Sequence, residues 1–403
     1  MMLRDAYIVN AKRTAIGKFL GSFYENDPCE VSSQVIKELL KNTNPNDIDM
    51  TIIGNVISAN MGQAFFRKIA IDAGVPIEKP AYAVNMVCGS GMMAIINAVK
   101  EIKVGANYVL AGGVEFMSNI PYATNTYLRL GKKFGSFEMT DLMVSDGLTD
   151  IFSGVHMGIT AENIAKKYSI TRQEQDEYSW LAQQRAIDGV DSGAFKEEIV
   201  PVTIKDYRGR ESTFDTDEFI NRNSSPEKIA SLKPTFIKDG TGTITAASAS
   251  GINDGAAYLT LASEEYLAKT GMSAMAKVSG YAVVGCDPQY MGLGPYYAVK
   301  QLLRDKELTT DDIDVFEINE AFAAQALASI KLLGEEFGVP TEEIIKKTNI
   351  HGSGLGLGHP LGATGARIVT TMAYIMKHNN LKRGVASLCI GGGQGTAILL
   401  ERI

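Results

Sequence analysis

A chain of 403 residues, 45% hydrophobic and 21% charged with 16 tyrosines and 15 phenylalanines, holds material for two or three ordinary cores, which excludes a disordered protein. A net charge of −7 argues against a nucleic-acid binder, which shows a basic face, although a local Lys or Arg cluster can still hold a small polyanion. Four cysteines without a CxxC pair make neither a disulfide framework nor a zinc site, so no metal is expected and a reducing cytoplasm is the expected compartment. No long apolar run suggests a membrane span, the opening MMLRDAYIVNAKRTAIGKF lacks the order of a secretory signal, and the terminal ERI is not a peroxisomal address.

Strand-like and helix-like stretches then alternate. AYIVNA and TIIGNVIS read as short buried strands, GSGMMAIINAVKEIKVG as a buried helix and YVLAGGV as a further strand. From 120 to 251 the texture changes: NTYLRLGKKFGSFEMTD, KDYRGRESTFDTDEF and NRNSSPEKIAS are polar and rich in turn signals. They surround one helix, TAENIAKKYSITRQEQDEYSWLAQQRAI, broken near Ser169–Thr171, where Thr171 and Glu174 make a capping box. An insertion of this kind supplies substrate contacts or a subunit interface. Beyond it VFEIN, AFAAQALASIKLLGEEF, TGARIVTTMAYIMKHN and SLCIGG resume the alternation, which implies an α/β fold with largely parallel sheets. The flanks look related. Asn46-Asp47-Ile48-Asp49 precedes TIIGNVIS as Asp311-Asp312-Ile313-Asp314 precedes VFEIN, and KVGANYVLAGGVEF parallels KRGVASLCIGGGQG. Because these features recur in the same order, an internal duplication is expected.

Four segments carry the candidate chemistry. In NMVCGSGMMA a strand-like run ends near Cys88 and a helix follows, so the thiol meets a helix N-terminus and its free N–H groups, which favour the thiolate. Gly89 and Gly91 would clear the approach of a substrate; the alternative is a small buried cysteine at a tight turn. EINEAFAAQ places Asn319 where strand gives way to helix, as an N-cap or as an amide that orients a water or a carbonyl. HGSGLGLGHPLGATGAR is neither a Walker loop nor a dinucleotide fingerprint, but it sets His359 before Pro360, at the threshold of a helix beginning near Ala363. A neutral imidazole there can take a proton from a thiol, or it can be a hydrogen-bonded turn histidine. In SLCIGGGQG a strand ends in Cys389 followed by three glycines whose N–H groups can converge on an oxyanion, although Cys389 by itself also reads as a buried strand residue. Each group stands at a strand end or in a Gly-rich turn, the edge where α/β sheets bind ligands.

Together with AKRTAIGKF, HMGITAEN and SGINDGAA, these segments resemble the thiolase family in order and nearly end to end. The resemblance implies a duplicated α/β fold: residues 1–119 with 252–273 as one half bearing the nucleophile, 120–251 as an inserted loop domain, and 274–403 as the second half. It implies Cys88 as the acyl-carrying nucleophile, His359 as the base that activates it, and Cys389 as the acid/base at the α-carbon. Asn319, through a water, would join His359 at the enolate oxygen, and the N–H groups of Cys88 and Gly391 would form a second oxyanion site. Coenzyme A thioesters (acetyl-CoA, acetoacetyl-CoA) and CoA would be substrates and products, no cofactor being bound permanently. Leu148, His156, Met157, Phe236 and Ser250 map onto family positions that bind CoA, and Arg222 falls one residue from the position of a cation near the adenine. The segment before Ser250, GTGTITAASASG, is slightly longer than usual.

The triplet at His156 resembles the short-chain, acetoacetyl-CoA type, in which a bulky imidazole narrows the acyl pocket, whereas Gln394 is a choice often seen in degradative members of broader chain length. The implied activity is acetyl-CoA C-acetyltransferase, with degradative 3-ketoacyl-CoA thiolase as the alternative. A β-ketoacyl synthase would lack the second catalytic cysteine, and a non-catalytic CoA or lipid carrier would not need Cys88, Asn319, His359 and Cys389 together. Residues 117–139 resemble a tetramerisation loop, so a homotetramer is expected.

Overall fold

The computed structural model describes residues 4–403. In chain order its first flank runs β1 (Ala6–Arg13), α1 (Pro28–Leu39), β2 (Met50–Gly54), α2 (Phe65–Asp72), β3 (Ala81–Val84), α3 (Ser90–Val104) and β4 (Tyr108–Phe116). The inserted segment carries α4 (Met157–Lys167) and α5 (Arg172–Asp191), and the chain re-enters the sheet as β5 (Asn253–Ser263). The second flank runs β6 (Ala276–Gly285), α6 (Gly294–Asp305), β7 (Val315–Ile318), α7 (Ala323–Phe337), α8 (Leu361–His378), β8 (Arg383–Ile390) and β9 (Gln394–Glu401).

The strands form one sheet in the order β7-β8-β9-β6-β1-β5-β4-β2-β3, with Gly17–Lys18 added beside β5. Parallel pairing is confined to the outer strands, β2 with β3 and β4, and β7 with β8. Everything nearer the centre is antiparallel. The sheet is thus mixed, as the resemblance implies, and not largely parallel as the alternation alone suggests, because β5 slots antiparallel between β1 and β4 and β9 antiparallel between β8 and β6. Each flank nevertheless repeats one topology. From its edge inwards the first runs β3-β2-β4-β5-β1; the second runs β7-β8-β9-β6, with the parallel bridge Phe316–Thr348 where a β3 counterpart belongs. The flanks join at Tyr7–Lys277 and Ile8–Ala276. The duplication extends to single bonds: Asp49 Oδ2 accepts the N–H groups of Asn107 and Tyr108, and Asp314 Oδ2 accepts those of Lys382 and Arg383.

Helices α3 and α8 pack side by side and touch strands of both flanks, so the sheet wraps around them. Every residue of α8 from Leu361 to Met376 is buried, the polar Thr364, Arg367, Thr370 and Thr371 included. Gly91 permits the crossing. A Cβ there would lie 2.7 Å from the Gly362 carbonyl oxygen and 2.9 Å from the Ala366 nitrogen, and one at Gly89 would lie 2.4 Å from the Ile390 side chain. These glycines serve packing, which corrects the idea that they clear a path for substrate.

The break between α4 and α5 falls as expected: Ser169 takes φ +53°, and the Thr171–Glu174 capping box is formed. Strand β2 stops at Gly54, short of the expected TIIGNVIS, because the N–H groups of Val56 and Ile57 turn to the Glu115 carboxylate at 2.8 and 3.1 Å. The AKRTAIGKF motif is structural. Arg13 is buried against Glu198 (2.6 Å) and Asp217 (2.7 Å), tying the insertion to β1. Among the described residues no helix is long and apolar enough to cross a membrane, and no group of three or more His, Cys, Asp or Glu could hold a metal ion.

Candidate active site

Between β3 and α3 the chain makes a tight turn in which Val87 takes φ +47°, an outlier for a β-branched residue. Three bonds hold it: Val87 N–H donates to Asn85 Oδ1 (3.0 Å), Met86 N–H donates to Ser90 Oγ (2.9 Å), and Ser90 Oγ donates to the Val87 carbonyl (2.6 Å). The turn aims Cys88 into a cavity of about 290 Å³. Two N–H groups, its own and that of Gly391, point at its sulfur and favour the thiolate, but burial outweighs them and pushes the thiol up to about 11. The resting group is thus a thiol, because burial outweighs the N–H groups on which the helix-terminus expectation rested.

His359 enters the same cavity just before α8, whose first residue is Leu361 rather than Ala363. Its N–H donates to Asn253 Oδ1 (3.0 Å), Nδ1 lies 2.7 Å from Thr364 Oγ1, and Nε2 lies 3.5 Å from Asn319 Nδ2. Burial first, and the nearby Arg367 guanidinium second, hold its pKa down to about 3, so the ring is neutral. Asn319 is fully buried, and its Oδ1 has no hydrogen-bond partner among the described residues. Its neighbour Glu320 points elsewhere, to Tyr178, Asn349 and the Leu355 N–H. Cys389 also lines the cavity, its thiol raised well above the ordinary range by burial and then by the nearby Cys88 and Cys286. After Gly391, the glycines at 392 and 393 adopt φ +82° and +81°.

The structure therefore brings Cys88, His359, Cys389 and Gly391 to one cavity, with Asn319 reaching it through His359. Leu148, His156, Met157, Phe236 and Ser250 line it as well. His156 caps α4, its Nδ1 accepting the Gly158 N–H at 3.0 Å, and its ring stacks on Phe236 at 4.8 Å. That bond leaves the proton of the neutral ring on Nε2. Arg222 is not brought there: it lies on the surface with its guanidinium on the Asp191 carboxylate at 2.6 and 3.0 Å. The cation on the neighbouring outer groove of about 580 Å³ is Lys18, and groove and cavity share Ile252. Gln394 stands in the ladder opposite Gly285 and Ile390 and does not line the cavity.

Sequence reasoning missed the apolar wall (Met117, Met291, Phe322 and Leu361) and the residues that hold the reacting loops. Glu115 accepts the Gly362 N–H, Asn253 holds the His359 backbone, and Glu162 accepts the N–H groups of Thr243 and Ile244 in the segment leading to Ser250. Asn253 and Thr364 lie inside motifs already noted, SGINDGAA and GHPLGATGAR; a buried polar residue within each motif was the available signal.

A duplicated α/β fold with two thiols and a neutral imidazole on one apolar cavity defines a cysteine-based acyl-transferring enzyme. The comparisons agree. The model of the thiolase N-terminal domain matches residues 6–265, and that of the thiolase C-terminal domain matches 272–402. An acetyl-CoA acetyltransferase of Chromobacterium violaceum is 44% identical over 401 residues, 99% of this chain and all of the relative. Among solved structures, an acetyl-CoA acetyltransferase from Syntrophomonas wolfei superposes with a TM-score of 0.95 at 39% identity. The human mitochondrial 3-ketoacyl-CoA thiolase does so with 0.92 at 37%, each over the whole of both chains. The chain belongs to the thiolase family.

Proposed function

We propose that this thiolase is an acetyl-CoA C-acetyltransferase, joining two acetyl-CoA into acetoacetyl-CoA and CoA through an acyl-Cys88 intermediate, and running reversibly. The observation that carries the reading is the meeting of Cys88, His359 and Cys389 on one cavity that Gly391 also lines. As Cys88 attacks the thioester carbonyl, His359 Nε2 takes its proton and the N–H groups of Cys88 and Gly391 meet the tetrahedral oxyanion. One such donor is worth about 3 kcal/mol. The leaving CoA thiolate takes the Cys389 proton. The Cys389 thiolate then removes the α-proton of the second acetyl-CoA; a thiol held high by burial leaves a strong conjugate base. The enolate oxygen faces His359 and a water on Asn319. Its carbon attacks the acyl group, Cys88 departs as thiolate, and the imidazolium returns the proton.

The acetyl preference rests on the His156–Phe236 stack that walls the cavity beside Met157, and on the naming of full-length relatives as acetyl-CoA acetyltransferases. Gln394 does not itself line the cavity, so the sequence argument for the degradative reading has no direct contact there to act through. CoA would lie with its pantetheine along Leu148, His156, Phe236 and Ser250, and its nucleotide in the outer groove between Lys18 and the segment 221–224 that carries Arg222. In this scheme 1–119 with 252–273 and 274–403 are the two halves, 120–251 is the CoA-binding and oligomer-forming insertion, and no cofactor is bound permanently. Four free thiols fit a reducing cytoplasm.

The hairpin of Tyr122–Thr124 with Met139–Asp141 and the exposed side chains of Tyr127, Leu130 and Phe134 support a homotetramer. L130D/F134D should reduce its mass by light scattering. The deciding assay is thiolysis of acetoacetyl-CoA beside a six-carbon 3-ketoacyl-CoA; equal kcat/KM for the two would transfer the protein to the degradative class. Cys389→Ser should still trap acetyl on Cys88 by intact mass, whereas Cys88→Ser should not.

A further inference from the structure

Thr364 lies fully buried one turn into α8, behind the His359 ring and away from the cavity. Two short contacts meet at its hydroxyl: His359 Nδ1 at 2.7 Å and the Pro360 carbonyl oxygen at 2.8 Å. A hydroxyl owns one proton and a carbonyl brings none, so the contact with Pro360 consumes the Thr364 proton. The contact with the ring must then be filled by a proton on Nδ1. In a neutral imidazole that leaves Nε2, at the opposite edge, as a bare lone pair. Nε2 is the atom nearest Asn319 Nδ2, itself a donor, which agrees with an acceptor at that position.

We propose that Thr364 is a positioning residue that fixes His359 in its Nδ1–H tautomer and so keeps Nε2 available to receive the Cys88 proton. The inference rests on the reading of His359 as the base. Without the hydroxyl, a buried Nδ1–H would lack an acceptor. The ring would shift towards the Nε2–H tautomer, in which the cavity-facing nitrogen has nothing to accept with.

The test combines Thr364→Val, which keeps the shape and removes the hydroxyl, with Thr364→Ser, which keeps the hydroxyl. In acetoacetyl-CoA thiolysis, Thr364→Val should lose kcat about 10- to 100-fold, the range for removing a group that orients a functional histidine, with KM nearly unchanged. Thr364→Ser should restore most of the rate, and alkylation of Cys88 by iodoacetamide should follow the same order. Nitrogen-15 NMR of the histidine-labelled wild-type protein should show protonated Nδ1 and unprotonated Nε2, a readout independent of how either variant folds. A wild-type ring carrying its proton on Nε2 overturns the proposal, as does full kcat in Thr364→Val or an equal loss in both variants. His359→Ala separates the two levels. If acylation of Cys88 survives it, the base assignment fails, whereas the tautomer is read from the spectrum alone.

Discussion

Gly91→Ala tests whether the α3–α8 crossing sets the active-site geometry. The added methyl would stand 2.7 Å from the Gly362 oxygen, 2.9 Å from the Ala366 nitrogen and 3.3 Å from its Cβ. Two of these neighbours are backbone and the third is a methyl, so no side chain can swing aside. Restoring ordinary contact at 3.4 Å requires the helices to part by roughly 0.7 Å. Overpacking of this kind costs about 1–3 kcal/mol, which a urea titration resolves. The displacement also falls on the loop that carries His359, and a shift approaching 1 Å can cost about 100-fold in rate. We therefore expect a lowered urea midpoint together with a loss of kcat of about 10- to 100-fold in acetoacetyl-CoA thiolysis. An unchanged midpoint with a raised KM would show instead that Gly91 gives clearance to substrate, and the packing argument would be wrong.

Ala64, the residue just before α2, sits in the left-handed region at φ +55°, where a residue with a Cβ is strained by about 1–2 kcal/mol. Ala64→Gly should relieve more than it loses in unfolded-chain entropy and raise the urea midpoint slightly; a fall would contradict this. Burial raises Glu115 to about 7 and Glu317 to about 8 from 4.5, so folding takes up protons there and the stability they give falls as pH rises from their unfolded range towards 8. His359, depressed from 6.5 to about 3, works the other way, its contribution fully present above 6.5 and lost as pH falls. Between pH 6.5 and 8.5 the carboxylates still lose stability while the His359 ring no longer titrates, and the urea midpoint should decline; a rise would refute the assignment. Glu162→Gln loosens the segment leading to Ser250 and should raise KM for acetoacetyl-CoA several-fold with kcat little changed, steady-state kinetics being the check.

What the sequence made legible was local. Cys88, Asn319 and Cys389 each announce themselves by a strand-to-turn transition within a few residues, His359 by the Gly-rich loop before a helix, and the Thr171 capping box is written in four consecutive letters. What stayed hidden was long-range. Strand direction at the sheet centre depends on where β5 re-enters after the insertion, which no periodicity records. The partner that Gly91 must clear lies in α8. A contact for Arg222 is not written in the sequence either, because a surface guanidinium takes whichever carboxylate the fold puts beside it, here Asp191. The state of the Cys88 thiol was not legible because its burial comes from walls contributed by distant segments, and burial outweighs the N–H donors of Cys88 and Gly391.

The duplication explains why the site lies where it does. Cys88 stands two residues before α3, and His359 stands two residues before α8, equivalent helices of the two flanks. The fold repeats one turn twice, puts a nucleophile on one copy and an imidazole on the other, and packs the two helix starts together through the contact of Gly91 with Gly362. Each flank then supplies fixed groups to the other's turn. Asn253 and Glu115, from the first, hold the N–H groups of His359 and Gly362, while Gly391, from the second, aims its N–H at the Cys88 sulfur. Neither turn is complete without the opposite flank, so thiol and imidazole can act as a pair only once both flanks have folded and docked.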